Sequence, residues 1–101
     1  MAIERLLKSN IDVVAIGGRE SEAHGVKIQI GHPGLKEIHT ITMYMGEDRQ
    51  KEHEDYLLSL EPKRIIFNPG AENFAFAKRA QERGIEVLDA CTLVMLNTNQ
   101  Y

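Results

Sequence analysis

Arg64-Ile65-Ile66-Phe67-Asn68-Pro69-Gly70 is the stretch whose reading decides the fold. Its apolar part is short, rich in β-branched and aromatic residues and without alternation, the pattern of a strand buried on both faces in the middle of a parallel sheet. Pro69 cannot donate to a ladder and Gly70 can take positive φ, so the pair stops the strand. Glu72 or Asn73 then caps the next helix, which the spacing predicts to run to about Arg83 and to end at Gly84. A strand, a tight turn and a helix start leave backbone N–H groups at the carboxyl edge of a sheet. That is where α/β proteins take anionic or nucleotide ligands.

Working outward, Ile85 to Ala90 reads as the last strand, and the apolar run Cys91 to Leu96 as either a short helix or a turn against the core. On the other side, Thr40-Ile41-Thr42-Met43-Tyr44-Met45 is a strand that ends at Gly46, with Tyr44 and Met45 at its carboxyl end. Glu47 or Asp48 is expected to cap a helix with Tyr56, Leu57 and Leu60 on its apolar side, closing at Glu61-Pro62. Further back, Leu35 to His39 suggests one helical turn, and Gly31-His32-Pro33-Gly34 a loop. Val26 to Ile30 alternates like a half-exposed edge strand, reached from Glu20 to His24 by a polar connection. Asp12-Val13-Val14-Ala15-Ile16 is a second buried-type strand that stops at Gly17-Gly18, with Arg19 just past it. The chain opens on a helix, Ala2 to Lys8, ended by Ser9-Asn10. Strands alternating with helices predict a three-layer αβα fold with a mostly parallel sheet and right-handed crossovers. One feature conflicts with this plan. A crossover helix joins two strands, and the opening helix has none before it.

The 101 residues suffice for one domain, and 43% hydrophobic residues is ordinary for a globular protein. A net charge of −3 offers no electrostatic reason to bind nucleic acid. The absence of a long apolar run or a signal-like start predicts a cytoplasmic chain with no membrane partner. The single Cys91 reads as a small core residue, and His24, His32, His39 and His53 show no metal-ligand spacing, so no metal is expected. No nucleophile–base motif stands out, and the chain reads as a non-catalytic protein.

Lys63 to Asn73, together with Gly84-Ile85-Glu86-Val87 and Ala90-Cys91-Thr92-Leu93-Val94-Met95-Leu96, resembles the small stand-alone CoA-binding proteins. These are single Rossmann-type domains similar to the CoA-binding domain of the succinyl-CoA synthetase α-subunit. Val14-Ala15-Ile16-Gly17 and Thr40-Ile41-Thr42-Met43-Tyr44 match the same family in order and spacing. The resemblance implies one Rossmann-like domain over residues 1–101 with coenzyme A as its ligand. Gly17, Gly18 and Arg19 would face the adenosine end or its phosphate, Tyr44 and Met45 would flank the ligand, and Asn68, Pro69, Gly70 and Asn73 would close the other side. The family's first strand and Gly-rich loop have no counterpart, since Met1 to Leu7 matches the middle of its first helix. Either an internal methionine stands at the start or the gene product is truncated, and both remove the main phosphate cradle. Each residue also has a plain reading: Gly17, Gly18 and the Pro69-Gly70 pair as strand ends and turns, Arg19 as a solvated charge, Tyr44 and Met45 as core.

Two readings of function stand. The first is binding of CoA or an acyl-CoA without catalysis, weakened by the missing cradle. The second is a fold remnant that binds a partner or assembles with itself, with a homodimer expected because the strands beside a missing central strand lose ladder partners. An enzyme acting on a CoA thioester is a third. If Arg19 meets the 3′-phosphate, Arg19→Ala will weaken CoA by about 1.5–3 kcal/mol and leave dephospho-CoA unchanged. Parallel titrations of the two ligands into a chain extended by the missing strand and loop measure this, and unchanged affinity for both would leave Arg19 a surface charge.

Overall fold

The computed structural model describes residues 2–16, 21–23, 25–29, 31 and 34–101. Its contacts divide the chain into two compact units, Leu35–Thr92 and the remainder formed by residues 1–34 with 93–101.

The larger unit carries the stretch on which the sequence reading turned. Strand β5 (Arg64–Phe67) is buried at all four positions and lies between β4 (Thr40–Met43) and β6 (Glu86–Asp89), parallel to both. In register, Thr42, Ile66 and Leu88 stand side by side, as do Met43, Phe67 and Asp89. Past the buried Arg64, a strand with a neighbour on each edge and no exposed position is apolar at each residue, which is why Ile65-Ile66-Phe67 does not alternate. Between β4 and β5 run α2 (Glu47–Gln50), a single 3-10 turn (Lys51–His53) and α3 (Glu54–Ser59); α4 (Phe74–Glu82) connects β5 to β6. One face of the sheet gives Met43, Ile65 and Phe67 to a core completed by Leu57 and Leu58 of α3 and Phe76 and Ala80 of α4. Phe67 and Phe76 meet edge to face with centroids 5.9 Å apart, a favoured aromatic geometry. On the surface Arg79 bridges α4 to α3, contacting Glu54 at 2.8 Å and Asp55 at 2.6 Å. Its hydrogen bond and charge hold the Asp55 carboxyl below the ordinary carboxylate value.

The smaller unit contains α1 (Ala2–Lys8), β1 (Ala15–Ile16), β2 (Ser21–Ala23) and β3 (Val26–Gln29), and most of α5 (Thr92–Asn97). Its strands are ordered β1-β3-β2, with β1 parallel and β2 antiparallel to β3. Helix α1 ends with Asn10 at φ 61°, its amide on the Leu7 carbonyl and that of Ile11 on the Leu6 carbonyl, a Schellman closure that satisfies orphan carbonyls.

The class is α/β and the strand pairing mostly parallel, as the alternation of elements predicts. Several local expectations differ: of the buried-type strand expected over Asp12 to Ile16 only Ala15–Ile16 pairs, half-buried, and Val14 before it is exposed. Val26–Gln29 is the central strand of its sheet, not an edge, because Ser21–Ala23, expected as a connection, folds back on it as a hairpin. The polar composition of that segment hid a strand that pairing alone creates. Leu35 to His39 forms no helix, and Glu37 there takes φ 58°, outside the helical region. Gly46, not Glu47 or Asp48, stands at the N-cap of α2, and both acids lie in the first turn where they favour the helix dipole. The undecided run after Cys91 is the helix α5. Ile30, His24, His32 and Pro33 lie outside the described residues.

Gly84 closes α4 at φ +80°, with its amide on the Gln81 carbonyl and that of Ile85 on the Ala80 carbonyl. A Cβ there would meet nothing within 4 Å, so only backbone strain opposes a side chain. Gly84→Ala should therefore cost about 1–2 kcal/mol in chemical denaturation, and Gly84→Asn less. Equal stability of Ala and Gly at this position would show that the helix end relaxes.

Candidate functional site

Because β4, β5 and β6 are parallel, their carboxyl ends share one edge of the sheet. Three loops leave that edge, and buried amide side chains tie them to one another. Asn68, 1% exposed, follows β5 directly. Its Nδ2 donates to the Met43 carbonyl and to Thr42 Oγ1, each at 2.9 Å, while its Oδ1 accepts from the Thr92 amide at 2.8 Å. The Thr42 and Thr92 hydroxyls are 2.7 Å apart and share a further hydrogen bond. One side chain thus joins the end of β4, the end of β5 and the start of α5.

Gln50 does the same for the next layer of the loops. Fully buried on α2, it donates from Nε2 to the Met45 and Ala71 carbonyls, both at 2.7 Å, and accepts from Asn73 Nδ2 at 3.0 Å. Asn73 Oδ1 in turn accepts from the Phe76 amide at 3.1 Å, the N-cap of α4. Among the described residues no buried side-chain polar atom lacks a partner. A network satisfied throughout holds its loops rigidly, whereas one missing member leaves several groups desolvated and unpaired.

The sequence-derived candidates fall into three groups. Gly17, Gly18 and Arg19 lie outside the described residues. Asn68 and Asn73 are buried with their amides engaged inside the protein, so they position loops and present no free side chain to solvent. Tyr44, 54% exposed, half-buried Met45 and the exposed Pro69 and Gly70 form the outward surface of the β4 and β5 loops. Gly70, at φ +92°, makes the turn that lets Ala71 reach back to the Asn68 carbonyl at 2.8 Å. Some of the N–H groups expected to be free in this loop are used: Gly70 donates to Glu72 Oε1 at 2.9 Å and Phe76 to Asn73 Oδ1 at 3.1 Å. With a carboxylate on its turn, the loop suits an uncharged part of a ligand better than a phosphate.

Gln50, Thr42 and Thr92 were missed by sequence reasoning. Gln50 had a signal, being an uncharged residue in the charged run Glu47 to Asp55 and seven positions before Leu57 on the buried face. The two threonines had none, since they meet across fifty positions of chain. At the opposite, amino edge a depression of about 750 Å³ is lined in part by Glu61, Lys63, Arg83 and Gly84. Ligands of parallel sheets bind at the carboxyl end, so the depression is not taken as the site.

Gln50→Leu keeps the volume and deletes every polar contact, leaving two carbonyls and the Asn73 amide without their partner. It should destabilise the protein by about 2–4 kcal/mol in denaturant titrations. A loss under about 0.5 kcal/mol would show that the loops do not depend on it.

The comparisons with known proteins agree with this architecture. No curated protein matches. A crystal structure of an uncharacterized protein superimposes with a TM-score of 0.96 at 37% identity, covering 99% of this chain and 83% of that one. A Thermus thermophilus protein, described as cell-free ID.343, gives 0.82 at 19% identity over 99% of this chain and 77% of its own. A protein redesigned for binding gives 0.81 at 16%, covering 98% and 70%. At those lower identities the likeness is one of fold, and the fold is Rossmann-like. The CoA binding domain family model matches residues 1–97, nearly the whole chain. The chain belongs to the CoA-binding domain family.

Proposed function

We propose that this protein binds coenzyme A or an acyl-CoA at the carboxyl edge of the β4-β5-β6 sheet and performs no chemistry on it. The observation that carries the reading is the locked loop system of Asn68 and Gln50, found at the ligand edge of a chain in a CoA-binding family. Rigid loops spend little entropy on binding, which is what a recognition surface without a catalytic group requires. Tyr44, Met45, Pro69 and Gly70 offer mainly apolar and backbone surface, fitting the pantetheine arm and an attached acyl group. By the resemblance, Gly17, Gly18 and Arg19 would meet the adenosine end or its phosphate. Among the described residues no group of three or more His, Cys, Asp or Glu gathers as a metal site would, and no helix is long and apolar enough to cross a membrane.

The family's first strand and Gly-rich loop, which we take to precede the opening helix in relatives, would supply the main diphosphate contacts. Isothermal titration of CoA into residues 1–101 and into a version preceded by such a strand and loop tests the proposal. We expect the longer chain to bind at least about tenfold more tightly, about 1.4 kcal/mol. Tyr44→Ala in the longer chain should weaken CoA while leaving the melting temperature within the small range of surface substitutions. Absence of CoA and acyl-CoA binding by both chains would refute the proposal.

A further inference from the structure

Between the end of β5 and the start of α4 the chain carries a single charged side chain, that of Glu72. Glu72 is exposed, yet it is not a loose surface charge. Its Oε1 accepts from the Gly70 amide at 2.9 Å, and its two neighbours in sequence, Ala71 and Asn73, are buried. Ala71 is held through its amide by the Asn68 carbonyl at 2.8 Å and through its carbonyl by Gln50 Nε2 at 2.7 Å. Asn73 is held by its side chain to Gln50 and to the Phe76 amide. The backbone that carries Glu72 is thus fixed by the same buried amides that brace the carboxyl edge, and its carboxylate is folded back onto the Pro69-Gly70 turn.

This fixed charge changes what the edge can accept. A carboxylate just before α4 meets the positive end of the helix dipole, so an incoming anion finds that end already compensated. The segments that form the edge offer no cation in exchange. No Lys or Arg occurs from Thr40 to Asp48, from Ile65 to Ala77 or from Val87 to Tyr101, and Arg49 comes only after the acids Glu47 and Asp48.

We infer that Glu72 is a specificity-determining residue whose carboxylate restricts the acyl group held at this edge to uncharged ones. The inference rests on the proposed binding of acyl-CoA here, with the acyl group against Pro69 and Gly70. An acyl chain ending in a methyl group meets apolar and backbone surface. One ending in a carboxylate brings a like charge beside Glu72 and gives up hydration without gaining a cation, and a like-charge juxtaposition of this kind suppresses the wrong partner.

Butyryl-CoA and succinyl-CoA separate charge from chain length, since they differ in a terminal methyl against a terminal carboxylate. Isothermal titration of both, and of CoA, into residues 1–101 and into the chain preceded by the family's first strand and loop measures the preference. Glu72→Gln tests its origin, because glutamine keeps an acceptor for the Gly70 amide and removes only the charge. We expect butyryl-CoA to bind at least about tenfold more tightly than succinyl-CoA. Glu72→Gln should tighten succinyl-CoA by about three- to tenfold and move CoA and butyryl-CoA by less than about twofold. Equal affinity for the two acyl-CoAs, or a preference that Glu72→Gln leaves intact, overturns the inference while CoA binding itself stands. The comparison in the unaltered chain holds even if the variant fails to fold. Absence of binding by all three ligands in both chains overturns the inference together with the proposed function.

Discussion

The larger unit depends on the complete burial of β5. A strand with no exposed position cannot use water at its end, so the polar groups where it leaves the sheet must be met inside the protein. Asn68 is the first residue past β5 and is itself buried. Its amide settles the account by bonding across to β4 and onward to Thr92. The loops at the carboxyl edge are held together because the strand beneath them is dry.

This coupling links packing to the proposed recognition. Gln50 is buried for the same reason as the apolar residues of α3, yet its amide carries the requirement of the interior to the Met45 and Ala71 carbonyls. Asn73 passes it to the start of α4, whose Phe76 lies in the core against Phe67. Disturbing any one of these amides would loosen a surface that Tyr44, Pro69 and Gly70 present from outside. The outward surface of these loops and the core are therefore two sides of one set of hydrogen bonds, in a chain that belongs to the CoA-binding domain family.

The two edges of the sheet show how the same chain treats similar backbone differently. At β6 the carboxylates of Glu86 and Asp89 discourage addition of a strand. At β4 the sequence is that of a strand meant to have neighbours on both sides.

Much of the architecture was legible in the residues themselves. Non-alternating Ile65-Ile66-Phe67 implies a buried parallel strand, and Pro69-Gly70, Asn73 and Gly84 mark where the following helix is entered and left, because these signals are local and come from backbone sterics and capping. The CoA-binding resemblance was carried by the same stretch. The hairpin of Ser21–Ala23 was not legible, since its polar residues become a strand only by pairing with β3. Nor was the role of Asn68 and Asn73 as internal braces, or of Gln50, Thr42 and Thr92 as their partners. A hydrogen bond between residues 42 and 92 has no local signature, and an asparagine looks alike in sequence whether it faces a ligand or the interior. Local chemistry determined the elements and their ends; the tertiary structure decided which polar groups were buried, because burial depends on what the rest of the chain brings alongside.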